Sequence, residues 1–406
     1  MVRHPGPALK RLTRWLTIPL PAPPATLRRG PLRDGAFPSE LRSARLTTWL
    51  GLALGAAFGI CFGTGLLSHL VQHPPAWFWW PSRPVWLYQV TQGVHVATGL
   101  ACLPLLGVKL WSVYPRLFTW PPFRTVVHAL ERASVAVLVA AALFQVIGGL
   151  LNVMRWYALM PFFFTAGHYW GAWLAAGALL VHIAVQLPTV RSALARTPRE
   201  PTPAAPGLSR RGLLAGTAAA AGLITLATVG QTVRPLASIA LLAPRRPDIG
   251  PQRLPVNKTA AAAGIGAEVD AAYRLVVTGP AGAMELDLGA LNAMPQHTVE
   301  LPIACVEGWS ATATWTGVRL RDLVARVGAD PENAEVLVES LERRGRYRTS
   351  TVPPTHTRDP LTLIALRLNG QTLHPDHGYP ARLIAPARPG VLQTKWVSHL
   401  AVQEQP

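Results

Sequence analysis

Five apolar runs, spanning approximately 47–68, 88–110, 129–151, 170–190 and 212–232, constrain this chain more than any other feature. Each is about 20 residues long, enough to cross the hydrocarbon core of a bilayer. None keeps the polar face that a helix on a water-soluble core would show. The first opens as "LTTWLGLALGAAFGICFGTGLLSHL"; the fifth, "GLLAGTAAAAGLITLATVG", is rich in Ala and Gly and only mildly apolar. The expected architecture is an all-α membrane bundle of five transmembrane helices followed by an α+β domain.

Charge supports that division. The chain of 406 residues carries a formal charge of +18, which brings nucleic acid into consideration. However, residues 1–211 hold 20 Lys/Arg against 4 Asp/Glu, and residues 212–406 hold 18 against 16. The excess lies beside the apolar runs, where it reads as a topology signal, so no nucleic-acid partner is expected. Residues 1–46 carry nine Lys/Arg; the loop at 111–128 carries Arg116 and Arg124, with Lys109 at its edge. The stretch 191–211 carries Arg191, Arg196, Arg199, Arg210 and Arg211, while the alternate loops carry only Arg83 and Arg155. This asymmetry predicts a multi-pass plasma-membrane protein with a cytoplasmic N-terminus and its last domain outside.

Residues 196–208, "RTPREPTPAAPGL", read as a flexible linker. "SRRGLLAG" follows, and paired arginines before a weakly apolar run resemble a twin-arginine export signal. An ordinary basic helix end is the other reading. Beyond residue 233, "YRLVVTG", "ELPIACVEG", "AEVLVESL" and "LTLIALRL" read as strands or buried segments. "GVRLRDLVARVG" has helical spacing, with Leu320, Leu323, Val324 and Val327 on one face. The expected division is a basic segment at 1–46, a four-helix membrane domain at 47–190, a cytoplasmic linker at 191–211, a fifth span at 212–232, and a mixed domain at 245–406.

Histidine inside an apolar helix is costly and marks a functional site. His95 lies in the second run and His168 at the start of the fourth, with His182 fourteen positions later. Fourteen helical residues rise about 21 Å and return to nearly the same face. That spacing suits axial ligation of two stacked haems, or of one haem and a second polar site. His95 and His168 share a depth and can share one iron. His69, His73 and His128, at helix ends, have the blander reading of interfacial polar residues. Residues 40–190 resemble the cytochrome b subunits of formate dehydrogenases and nickel–iron hydrogenases, which implies one or two haems b and exchange with the membrane quinone pool. The sequence departs at "RLTTW", where Thr48 stands in place of the family's inner-haem histidine. Either another residue such as His128 partners His182, or only the outer haem is built.

Three cysteines make no disulfide framework. Cys61 and Cys102 fall in apolar runs, whereas Cys305 stands in "TVELPIACVEGWSATATWTGVRLRDL". A buried cysteine is ordinarily an inert small hydrophobe, and a lone one can also be a nucleophile. This stretch, however, resembles the molybdopterin-binding domain of the sulfite oxidase superfamily, in which one thiolate binds molybdenum; a soft thiolate suits a soft, redox-active metal. "PVNKTA", "NGQTLHPDHGYPARLIAP" and "LQTKWV" continue the likeness. The resemblance implies Cys305 as the molybdenum ligand with Glu307 near it, and Asn257, His377, Arg382 and Lys395 as holders of the pterin and its phosphate. The Cys-Val-Glu-x-Trp order resembles the periplasmic methionine sulfoxide reductase branch. No arginine follows Cys305 closely, and a carboxylate beside the metal disfavours sulfite and suits a neutral oxide.

Together these likenesses imply a molybdenum-dependent oxidoreductase, fused to its own haem-bearing partner, that reduces a small or protein-bound sulfoxide or N-oxide. The order of parts resembles polytopic molybdoproteins of actinobacteria that use both the general secretion and the twin-arginine machinery. A dehydrogenase running in the opposite direction, and a metal-free sensor or assembly protein, are the alternatives.

Overall fold

The structure, a computed structural model, describes residue 22 and residues 24–33, 35–123, 125–195, 208–266 and 272–404. The proline-rich linker lies outside the described residues apart from Leu208, as do residues 1–21, Arg124, Arg196 and Arg199.

All five apolar runs are helices: α1 Ala44–Gln72, α2 Leu87–Val113, α3 Val126–Val153, α4 Phe164–Ala195 and α5 Arg210–Val229. Each is long and apolar enough to cross a membrane. A short hydroxyl side chain starts three of them. Ser43 accepts from the Leu46 amide at 3.1 Å, Thr125 from His128 at 3.1 Å, and Ser209 from Gly212 at 3.0 Å, each satisfying an amide that lacks an intrahelical partner. Along α4 only Ala175 and Ala193 are buried, while Leu174, Leu180 and Ile183 face outward. Lys109 corrects the sequence reading. It lies within α2, not at a loop edge, and its Nζ donates to the Thr47 carbonyl at 2.7 Å.

The C-terminal part is α+β, with two five-stranded sheets. Its strands are β1 Leu275–Gly279, β2 Gly282–Leu286, β3 His297–Ala304, β4 Ser310–Arg319, β5 Ala334–Ser340, β6 Thr349–Val352, β7 Leu363–Leu368, β8 Gln371–Thr372, β9 Arg382–Ile384 and β10 Val397–Glu404. One sheet runs β2-β1-β10-β5-β6, and the other runs β3-β4-β7-β8 with β9 also on β7. The β1–β10 pair is parallel and the others are antiparallel. Helix α6, Leu320–Arg326, buries the apolar face read from its spacing, since Leu320, Leu323, Val324 and Val327 are all inside. They join Leu275 and Val277 of β1, Val336 and Val338 of β5, and Leu400 of β10 in one core. A second core gathers Leu301, Ile303, Trp315, Ala365 and Ile384 around Cys305 and Trp309. Gly317 permits the close approach of β4 and β7. A Cβ there would stand 2.6 Å from the Ala365 Cα and overlap the Ile364 carbonyl, and the register shifts between Thr316 and Gly317.

The chain divides into two compact units, residues 1–59 with 98–224 and residues 60–97 with 225–406. The end of α1, the start of α2 and the loop between them therefore fold with the strand-rich part. Chain order alone does not predict that membership.

Candidate active site

Strand β3 ends at Ala304, and its pairing with Ser310 leaves Cys305–Trp309 as the connection into β4. The Cys305 amide donates to the Trp309 carbonyl at 2.9 Å and the Gly308 amide to the Cys305 carbonyl at 3.0 Å. Gly308 has φ +88°, a left-handed conformation that glycine adopts without a Cβ penalty. This tight loop points a 2% exposed Cys305 into a pocket that Asn257, Ile303, Trp309, Arg382 and Lys395 also line.

Two of those residues are buried cations. Arg382 stands on β9, donates to the His377 carbonyl at 3.1 Å, and has its guanidinium carbon 5.3 Å from the Trp315 ring centre. Its Nε is buried without a hydrogen-bond partner. Lys395 donates to the carbonyls of Asp376 and Lys258 at 2.6 and 2.9 Å. Gly378, at φ +110°, separates the two; a Cβ there would be 3.1 Å from the Lys395 Cβ and 3.2 Å from the Arg382 Cβ. Burial pushes the Arg382 pKa down to about 9, against the pull of the nearby Cys305. Burial, then repulsion by Arg382, holds Lys395 well below the ordinary ammonium range. Two desolvated positive charges in one pocket are unfavourable until an anion joins them.

The remaining predicted residues divide. Asn257 lines the pocket, and its Oδ1 accepts from the Lys258 amide at 2.9 Å. His377 is not among the lining residues. Its Nε2 donates to the Pro251 carbonyl at 2.7 Å while Nδ1 is buried without a partner. Burial, reinforced by Arg382, lowers its pKa to about 4 and keeps the ring neutral. Glu307 points back at its own loop: Oε2 accepts from the Trp309 indole at 3.2 Å and meets Arg245 Nη1 at 3.5 Å. No arginine follows Cys305 closely in sequence, but the fold brings Arg245 to Glu307 from the segment after α5. Its signal was the basic pair in "PRRPD", which reads equally well as a helix-end flank.

Residues 263–406 match the family model described as the oxidoreductase molybdopterin binding domain. This part of the chain is a molybdopterin-binding oxidoreductase domain. The chain is similar to mitochondrial sulfite oxidase of Mus musculus, 30% identical over 161 residues, which cover 33% of this chain and 29% of that one. It is 35% identical over 137 residues to a putative protein-methionine-sulfoxide reductase subunit, YedZ1, of Azospira oryzae, covering 33% of this chain and 51% of that one. Among solved structures, the sulfane dehydrogenase SoxCD from Paracoccus pantotrophus aligns over 33% of this chain and 38% of its own, at 24% identity and a TM-score of 0.30, a likeness too slight to build on. The chain spans about half or less of the length of these relatives.

The pocket of the molybdopterin-binding domain fits its cofactor on its own chemistry. Among the described residues the cations have no carboxylate partner at salt-bridge distance, and they flank a thiol, which is what a phosphate-bearing pterin and a thiophilic metal require.

Among the described residues no group of three or more His, Cys, Asp or Glu side chains is placed to hold a metal ion. His95 belongs to the unit with the strand-rich part, and His168 and His182 to the other. His95 Nδ1 is 2.8 Å from the Cys61 carbonyl, a contact that makes Nδ1 the protonated nitrogen. The His168 ring stacks on Phe164 at 4.9 Å, and its carbonyl accepts from Gln145 at 2.8 Å. His182 interacts electrostatically with Lys109 and Glu131. Thr48 is buried, and the Lys109 ammonium fills the space over Gly51 three residues later. His69 stacks on His73 at 4.7 Å, and the His128 amide closes the cap of α3.

Proposed function

We propose that the chain is a membrane-anchored reductase that removes oxygen from a sulfoxide or N-oxide at an extracytoplasmic molybdenum centre, using quinone-pool electrons. The observation that carries this reading is the Cys305 pocket, with one thiol beside two buried cations in a molybdopterin-binding domain. Molybdenum held by the pterin supplies two-electron oxygen-atom exchange. In the overall reaction the S–O or N–O bond breaks, and two electrons and two protons convert the oxygen to water. A membrane hydroquinone supplies both electrons and becomes a quinone.

The chain's own residues hold and insulate. Cys305 would offer the metal ligand, Arg382 and Lys395 would neutralise the cofactor's phosphate, and Asn257 would hydrogen-bond the pterin. Trp309, Ile303 and Pro255 shield the thiol from water. His95, His168 and His182 are the proposed haem ligands, and a haem would pass electrons singly. The Lys109 ammonium beside Gly51 and Thr47 favours a single haem. Lys/Arg asymmetry supports the orientation, with the N-terminus inside, and "SRRGLLAG" supports twin-arginine delivery of the folded domain.

The Arg245–Glu307 pair favours a second reading. It offsets the carboxylate that would repel an anion, so oxidation of sulfite with electrons passed to quinone suits the same pocket. To decide, the full chain is purified in detergent, assayed for molybdenum, and offered a panel of S- and N-oxides with a reduced artificial donor, then sulfite with an oxidised acceptor. Oxide-dependent donor oxidation supports the first reading. Molybdenum-loaded protein that turns over sulfite and no oxide replaces it with the second.

A further inference from the structure

The unit that holds the molybdopterin-binding domain also contains residues 60–97, and this segment brings a polar side chain to the Cys305 loop. Tyr88 lies in the first turn of α2 and is 1% exposed. It packs with Val71 and with Ala304, the residue before Cys305. The segment is pinned along its length. Trp80 donates its indole N–H to the Ala387 carbonyl at 2.8 Å, Arg83 binds Asp359 through two bonds of 3.0 and 3.1 Å, and Gln89 donates to Ser310 Oγ at 3.0 Å. Ser310 closes the Cys305 loop. Val85 packs on the core around Cys305.

A phenylalanine would fill the Tyr88 position without needing a partner, whereas a buried hydroxyl requires one. Here the hydroxyl is 2.9 Å from Ser68 Oγ, which donates to Gln92 Oε1 at 3.3 Å and accepts from Gln72 Nε2 at 3.2 Å. With the Ser68 hydrogen on Gln92, Tyr88 donates to Ser68 and turns a lone pair outward. With both hydroxyls rotated, Ser68 donates to Tyr88 and the tyrosine hydrogen turns to Gln92 Oε1, 3.5 Å away, or to a better acceptor brought beside it. Cys305 and Tyr347 are the titratable groups that interact electrostatically with Tyr88 from the strand-rich side.

We propose that Tyr88 binds the oxygen atom exchanged at the Cys305 site, with Ser68 and Gln92 orienting its hydroxyl to donate to an oxide oxygen and to accept from the water that leaves. The helical part thereby completes the active site of the molybdopterin-binding domain. This rests on the oxide-reduction reading for its substrate, but not for its location.

The test uses full-length protein in detergent, comparing wild type with Tyr88→Phe. Molybdenum content and melting temperature should be retained, kcat should fall by about ten-fold or more, as expected for loss of one hydrogen bond to a reacting oxygen, and KM should change less. The Mo(V) spin signal should also lose a splitting that exchanges in deuterated water. Wild-type kcat together with an unchanged spin signal overturns the proposal. Should Tyr88→Phe fail to load molybdenum, Ser68→Ala keeps the ring and removes its orienting partner, and an unaltered exchangeable splitting there overturns it equally. If wild type reduces no oxide, the oxide-reduction reading fails alone, because the difference in spin signal reports Tyr88 whatever the substrate.

Discussion

Replacing Arg382 with methionine should make the cofactor-free protein more stable and strip most of the cofactor from the loaded protein. Arg382 is 3% exposed, and burial lowers its pKa to about 9. Holding the guanidinium charged in the folded state therefore costs about 5 kcal/mol relative to the unfolded chain. The substitution also removes a 3.1 Å hydrogen bond to the His377 carbonyl and a cation stacked 5.3 Å from the centre of Trp315. Those losses amount to about 3 kcal/mol. The net gain is about 2 kcal/mol, or roughly 4–8 °C in melting temperature for a unit of this size. The assay compares Arg382→Met with wild type, both expressed without molybdopterin synthesis and melted in detergent by tryptophan fluorescence. Parallel preparations from cells that make the cofactor are analysed for molybdenum, where the variant should retain less than about a tenth, since one of two phosphate-binding cations is gone. A folded variant that melts at or below cofactor-free wild type, or that holds wild-type molybdenum, refutes the assignment of Arg382 as a cation waiting for an anion.

Cys305→Ser should leave a folded protein without metal-centred turnover, because the only thiol in the pocket is lost; wild-type turnover with an unchanged Mo(V) signal would contradict it. Acid should destabilise the strand-rich unit through His377 and His356. Burial and a neighbouring arginine, Arg382 and Arg388 respectively, lower their pKa values to about 4 and about 3, from 6.5 when unfolded. Below pH 6.5 the unfolded chain takes up protons that the folded chain refuses, so stability present at pH 7 is lost as pH falls towards those lower values. At pH 4.5 the loss is on the order of 5 kcal/mol, a drop of roughly 10–20 °C in melting temperature, and equal melting at pH 7 and 4.5 would exclude it. Arg210→Lys with Arg211→Lys keeps charge and alters only guanidinium recognition; a reporter after residue 404 that is active only outside should stay dark, and equal export would make "SRRGLLAG" an ordinary helix end.

The parts of the fold that local chemistry dictates were legible. Unbroken apolar runs marked all five helices, which differ from expectation only by a few residues at their ends. Leu320, Leu323, Val324 and Val327 marked the buried face of α6. The strand expected in "ELPIACVEG" ends at Ala304, so Cys305 opens the turn instead of closing the strand. What stayed hidden depends on partners distant in sequence. The parallel pairing of β1 with β10 joins Val276 to His399, and nothing in either strand names the other. Arg245 approaches Glu307 across about 60 residues, and Arg83 meets Asp359 across 276. Tyr88 carried no signal in the sequence, because the feature that sets it apart, a hydroxyl bonded to Ser68 against Ala304, exists only once two distant segments meet. Lys109 looked like a loop charge because its long apolar stem can lie along a helix while its ammonium reaches a carbonyl.

The pins at Trp80, Arg83 and Gln89 bear on how the polypeptide need be joined. They hold residues 60–97 to residues 225–406 through a half-buried indole bond, a two-point ion pair and a side-chain contact at the Cys305 loop. None of them depends on the peptide bonds between residues 196 and 207. Covalent continuity there raises the effective concentration of one segment for the other. A chain severed in that stretch and expressed as two fragments should reassemble, at a rate set by fragment abundance, so that one gene or two would encode the same machine.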